Sequence, residues 1–409
     1  MTSGPVDPLG TSRGRYVASP GVPPSAVPAR AAGGAGLPTQ PQWGPVRRRR
    51  TATLVVEVIG IALGLAGAVW VLAAVLAVGG TGPTAMAAVL AFLPLVGVLA
   101  VVGWVDRWEP EPRWLLAAAL AWGAGVSTAI ALALNDLFML KVLATTGSET
   151  QAEVLGTVLG APVVEEVAKG AGVVLIFLVR RRSFDGPVDG IVYSATVAAG
   201  FAFTENVLYF VQYQDLITQV FIARAVQGPF AHLTFTACTG IALGLASRSR
   251  APGAWLAYLP LGLAGAVFLH AVWNASAVLA VMDAVYWLFQ VPLFVGLIGL
   301  VLWLRNDERA VIAGRLGEYA RAGWFAPHEV TMLASMRGRR RARAWAAGLG
   351  PAAADSMRSF QRAATLLAFT RQRALTGRAD RRLRHDEQGL LGEVVRTRSA
   401  VTAAATVRR

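Results

Sequence analysis

Long apolar runs fill the chain between residues 53 and 304, separated by short polar stretches. At about 1.5 Å of rise per residue, some 20 such residues in a helix cross a hydrocarbon core of about 30 Å. The pattern predicts eight spanning helices, at about 53–78, 84–105, 114–134, 158–179, 188–212, 228–246, 254–280 and 284–304. Small-residue spacings such as Gly60–Gly64 and Gly64–Gly67 let the first helices approach closely. Glu57, near the start of the first run, is expected to snorkel to the headgroups. The fold class is therefore all-α: a polytopic membrane protein of about eight spans with a helical tail.

Polar segments set the domain division: 1–50, 51–304 and 305–409. Met1–Pro45 is rich in Pro, Gly, Ala and Ser, has no apolar core segment and is expected to be disordered. The stretch Asn135–Thr157 is expected to be an outer loop whose apolar piece, Leu137–Leu143, lies along the membrane or dips into it. Asp106–Arg113 (DRWEPEPR), stiffened by Pro110 and Pro112, is expected to be an interfacial turn anchored by Trp104, Trp108 and Trp114. The tail alternates amphipathic stretches, Asp307–Tyr319 and Ser356–Gln372, with arginine clusters at Arg337–Arg343 and Arg378–Arg384.

Composition excludes a soluble globule, because 55% of residues are hydrophobic and only 15% charged. The one cysteine, Cys238, excludes an intrachain disulfide and a Cys-rich zinc site. From Arg305 onward there are 21 Arg and 9 acidic residues, so the tail carries +12 of the net +14. That charge is expected to attract anionic lipid, at about 1 kcal/mol per basic residue near the surface. Nucleic acid is the less favoured partner, since no reading motif accompanies the charge. Charge also sets the expected orientation, both termini inside. The segments 106–113, 180–187 and 247–253 then carry Arg107, Arg113, Arg180–Arg182, Arg248 and Arg250, and the outer ones only Lys141 and Arg224.

Ionisable residues inside the apolar runs are the candidate chemistry. A charge at the centre of a span costs roughly 2.5–3.5 kcal/mol, yet the fourth run holds Glu165, Glu166 and Lys169. Lys169, one turn from Glu165, is expected to pair with it. Two carboxyls beside one cation leave one acid holding a proton, as acid–base catalysis needs; a structural salt bridge or an ion path are the alternatives. On the fifth run Phe201 and Glu205 share a face, so the ring is expected to wall the acid from lipid, and Asn206 follows. His232 opens the sixth run, and the seventh carries His270 and Asn274 one turn apart with Trp273 between them. Counted from the outer ends of their spans, Glu165, Glu205, His232 and His270 fall in one layer, roughly 6–15 Å deep. One hydrated pocket explains a shared layer. A proton- or cation-coupled transporter would need polar groups at several depths, and the inner halves of the fourth, sixth and seventh runs lack ionisable groups apart from Lys169.

These motifs resemble those of the PrsW family of intramembrane proteases, relatives of the CAAX-prenyl endopeptidases. The resemblance covers Val101–Leu304 and rests on DRWEPEPR, on Glu165, Glu166 and Lys169, on Phe201, Glu205 and Asn206, on His232, and on His270, Trp273 and Asn274. It implies peptide-bond hydrolysis in a bacterial cytoplasmic membrane, on single-span substrates such as anti-sigma factors. By the same resemblance Glu165 or Glu166 activates water, helped by Glu205 and His232, while His270 and Asn274 stabilise the oxyanion. An inert scaffold of the same superfamily would keep the histidines and lose the paired glutamates, which are present. The family has also been classed as metallopeptidases, and Glu165, Glu166, Glu205, His232 and His270 are candidate zinc ligands. No HExxH motif occurs, and glutamate-dependent chemistry without a cofactor is favoured. Adjacent Glu165 and Glu166 point about 100° apart, so one of them is expected to face the water.

Overall fold

A computed structural model describes residues 51–181, 184–251, 253–376 and 381–407, without the side chains of 51–54, 56 and 381–385. The predicted disordered head and the side chains of the Arg378–Arg384 cluster lie outside what is described. Among the described residues there is no strand. The chain divides into two compact units, one ending at Glu308 and the other beginning at Arg309.

The first unit is built from α1 (Thr51–Gly79), α2 (Thr81–Val105), α3 (Arg113–Thr146), α4 (149–179), α5 (Pro187–Gln212), a short helical segment α6 (214–227), α7 (Ala231–Arg248), α8 (Trp255–Val278) and the start of α9 (Met282–Arg321). Seven helical stretches are long and apolar enough to cross a membrane, α6 and α7 counting as one. The predicted eighth is the 19-residue stretch Ala161–Val179 of α4, which is set apart by Glu165, Glu166 and Lys169. Large apolar side chains such as Leu63, Trp70, Phe92, Leu93, Leu261 and Trp303 are exposed, as lipid contact requires. The centre is α5 against α7, with Tyr193, Val197, Phe201, Phe235 and Leu243 fully buried. Gly190 and Gly240 set that contact: a Cβ on either would overlap the other's carbonyl. Glu205 and His232 lie on this closely packed pair.

Three expectations are corrected. The loop Asn135–Thr157 is mostly helix, because α3 runs on through Leu137–Leu143 to Thr146. It stops at Gly147, whose φ of 67° closes the helix, and Ser148 caps α4 by accepting from the Gln151 N–H at 3.2 Å. The stretch 215–227, expected to be an outer loop, is helical as well. Glu57 does not snorkel: it is buried, with Oε1 3.1 Å from Arg180 Nε.

The Asp106–Arg113 segment is tied to the protein as much as to the interface. The Asp106 carboxylate accepts the Glu111 N–H at 2.9 and 3.1 Å, and the Tyr193 hydroxyl donates to Glu111 Oε2 at 2.5 Å. Trp108 is buried, Trp104 lies under the Arg305 guanidinium and Trp114 under that of Arg180. Burial pushes the Asp106 carboxyl up to about 7, against the Glu111 N–H bond that lowers it. Burial also pushes Glu111 up to about 7, with Asp106 and Asp185 adding to the rise and the Tyr193 bond and Arg180 opposing it.

The second unit comprises the rest of α9, then α10 (Pro327–Leu333), α11 (Met336–Leu349), α12 (Pro351–Leu375) and α13 (Arg381–Val407). Its core gathers Leu333, Ala342, Met357, Phe360, Leu367 and Val394.

Candidate active site

Two adjacent glutamates on α4 have different fates. Glu166 is fully buried and saturated. It takes Lys169 Nζ at 2.6 Å and His270 Nδ1 at 3.1 Å on Oε1, and the Thr236 hydroxyl donates to Oε2 at 2.8 Å. The sequence pairs Lys169 with Glu165, but that distance is 3.7 Å, since the i,i+3 contact with Glu166 is the shorter. Glu165 accepts weakly from Asn135 Nδ2 at 3.4 Å, and its Oε2 has no hydrogen-bond partner. That oxygen lies 3.8 Å from His270 Nε2.

Across the site, His232 is held at both nitrogens. Lys169 Nζ approaches Nδ1 at 3.2 Å, and Nε2 faces Glu205 Oε2 at 2.8 Å. Glu205 Oε2 also accepts from Arg224 Nη2 at 2.5 Å, while Arg224 Nε donates to Asn206 Oδ1 at 2.7 Å and the guanidinium lies over Tyr209. The Phe201 ring has Lys169 Nζ 4.1 Å from its centre and packs edge-on against His232, the partner of Glu205. The rings of His232 and His270 are 5.1 Å apart.

Glu165, Glu166, Lys169, Glu205, His232 and His270 thus form one connected cluster, and Phe201 and Asn206 are its near neighbours. Asn274 and Trp273 stand beside it. Asn274 Nδ2 donates to the Thr157 carbonyl at 2.9 Å, within a π turn at Gly156–Gly160 that offsets the helical ladder. A cavity of about 620 Å³ reaches the cluster, lined by His232, Asn206, Arg224, Thr157, Trp273 and Asn274 together with apolar side chains of α2, α5 and α6. No Asp or Glu lines it.

Sequence pattern misses three members. Asn135 and Arg224 fall in stretches that read as loop, and a second π turn, Ile222–Gln227, carries Arg224. Thr236 was open to the same i,i+4 argument from His232 that pairs His270 with Asn274.

Residues 111–297 match the PrsW family of intramembrane metalloproteases. Over that stretch the chain resembles the PrsW family. It is 36% identical over 120 residues to Protease PrsW of Geobacillus kaustophilus (strain HTA426), which is 28% of this chain and 49% of that protein. It is 40% identical over 81 residues to Protease PrsW of Clostridioides difficile (strain 630), 20% of this chain and 34% of that protein. The chain thus spans about half and about a third of the length of these bacterial relatives. No solved structure matches it. The PrsW match and the spanning helices make it a multi-pass membrane protein, and all the cluster residues lie inside the match.

The family description includes a metal, and one donor set bears on it. Glu165, His232 and His270 each offer one ligand atom, all within 4.8 Å of one another. Two donors on one zinc ion stand at most about 4.2 Å apart, given metal–ligand bonds of about 2.1 Å, and Glu165 Oε2 and His270 Nε2, at 3.8 Å, are within that span. His232 offers one nitrogen to such a set: Nδ1 faces Lys169 Nζ at 3.2 Å, and Nε2 faces Glu205 at 2.8 Å, the kind of carboxylate partner that a ligating histidine keeps on its other nitrogen. As arranged, the lysine ammonium beside His232 Nδ1 is the cation of this cluster.

Proposed function

We propose that this chain hydrolyses peptide bonds in single-span membrane proteins, with Glu165 as the general base and no metal. The observation that carries the proposal is the bare Glu165 Oε2 beside His270 Nε2, in a cluster that the cavity reaches at His232. Two acceptors 3.8 Å apart suit the two protons of one water. Glu166 cannot serve in the same way, because both of its oxygens are already engaged.

The water oxygen attacks the scissile carbonyl carbon as Glu165 takes one of its protons. The carbonyl oxygen becomes an oxyanion, and the second N–H of Asn274 Nδ2 is the donor placed at the cavity wall to meet it. Glu165 then gives its proton to the leaving nitrogen as the C–N bond breaks, yielding a carboxylic acid and an amine. Glu166 fixes His270 through Nδ1, and Arg224 with Glu205 fixes His232. This assigns His270 to the water, in place of the oxyanion role implied by resemblance.

The purified chain in nanodiscs, offered a panel of single-span peptides, is expected to cleave at least one, and Glu165→Gln to cleave it about 10²–10⁴ times more slowly. Absence of cleavage together with a proton flux in liposomes would favour the transport alternative.

A further inference from the structure

The arginines of the tail are not alike. Arg315, Arg358, Arg371, Arg396 and Arg398 each face a carboxylate, on Glu318, Asp355, Glu318, Glu393 and Glu329. On α11, Arg337, Arg340, Arg341 and Arg343 are all exposed, and none of them has an acidic partner among the described residues. The helix MRGRRRARAWAAGL contains no Asp or Glu.

Geometry gathers these four charges on one side. At about 100° per residue they fall within an arc of about 160°. Exposed Ala344, Ala347 and Gly348 lie in the same arc, with half-buried Met336 at its N-terminal end the one large apolar side chain among the guanidinium groups. The opposite side is locked: Ala342 and Ala346 are fully buried, Arg339 Nε donates to the Leu333 carbonyl at 2.7 Å and its Nη2 to the Thr365 hydroxyl at 2.7 Å. The helix cannot roll without breaking these bonds, which keeps the basic side outward.

We propose that the exposed face of α11 binds the headgroups of anionic phospholipids. Chain connectivity selects this partner. α9 begins in the apolar sequence VPLFVGLIGLVLWL and runs on to Arg321, only a short way before α11. The tail is therefore tethered to the bilayer, at a high effective concentration of headgroups. Four guanidinium groups on one arc match a surface of phosphates without needing a sequence to read.

The test uses the full chain in nanodiscs of phosphatidylcholine alone or mixed with phosphatidylglycerol, read by amide hydrogen exchange over Met336–Leu349. Exchange is expected to be roughly tenfold slower in the anionic discs. The difference should vanish near 1 M salt, where the Debye length is about 3 Å. It should vanish also when Arg337, Arg340, Arg341 and Arg343 are all replaced by Gln, and persist in Arg358→Gln, with unchanged circular dichroism in both variants. Equal exchange in the two kinds of disc would overturn the proposal, as would protection seen only on adding duplex DNA or an acidic peptide.

Discussion

Lys169 Nζ lies 2.6 Å from Glu166 Oε1 and 3.7 Å from Glu165 Oε2, so the buried ammonium binds one of two adjacent carboxylates and leaves the other open. The neighbours therefore should fail differently. Glu165→Gln is expected to lower kcat by about 10²–10⁴, the contribution of a general base, with little change in thermal unfolding. Glu166→Gln strips the counter-charge from Lys169 and is expected to cost about 3–5 kcal/mol of stability as well as activity. Unfolding curves in detergent, run beside peptide cleavage, separate the two. Equal loss of stability in both variants would contradict the division.

The opposite end of α5 should respond to pH. Asp106 and Glu111 are both held at about 7 in the folded protein, against 3.8 and 4.5 for the free groups. Between about pH 4 and 7 the folded state binds more protons than the unfolded one, so stability falls as pH rises through that window. The groups around them, Asp185, Tyr193 and Arg180, are part of the balance. Protection factors of residues 106–113, taken relative to intrinsic exchange at each pH, are expected to be higher at pH 5 than at pH 8. In Glu111→Gln, which stays neutral, the dependence should shrink to the Asp106 share.

How far this was legible in the sequence depends on the residue. Apolar run length located the spanning helices, and i,i+4 spacing placed Phe201, Glu205, His270 and Asn274 on faces that do meet. It could not show where a helix ends: α3 continues past Asn135 because Gly147, twelve residues on, supplies the left-handed stop. Nor could it show π turns, which offset the ladder without changing composition, and one of these carries Arg224. The choice of Glu166 over Glu165 by Lys169 lies beyond spacing, since i,i+3 and i,i+4 are both in reach and side-chain rotamers decide between them.

Arg224 is the partner whose removal should be most informative. In Arg224→Met, Glu205 loses its guanidinium and keeps only His232 against a buried charge. The expected result is a loss of about 3–5 kcal/mol and of most activity. Adding Glu205→Leu removes the stranded charge and should restore much of the stability, while activity stays low because His232 Nε2 has lost its acceptor. Thermal unfolding of the two single variants and the double variant gives the coupling directly. Additive losses would mean that the pair is not a unit.

Lysine against metal is the sharpest division, because one side chain decides it. With Lys169 in place, His232 Nδ1 faces an ammonium at 3.2 Å and is not free to ligate. The wild type is therefore expected to keep its activity after treatment with a chelator and to carry no stoichiometric zinc by elemental analysis. Lys169→Ala removes the ammonium and leaves Glu165, His232 and His270, three donors within 4.8 Å, with only His232 Nε2 still tied to Glu205. That variant should gain zinc affinity over the wild type even if it has no activity, which isothermal titration with zinc alone would measure. His232→Ala in the same background should abolish the gain. If the wild type instead holds one zinc per chain, lost in both His232→Ala and His270→Ala, then Lys169 yields to the ion and the metal-free mechanism falls.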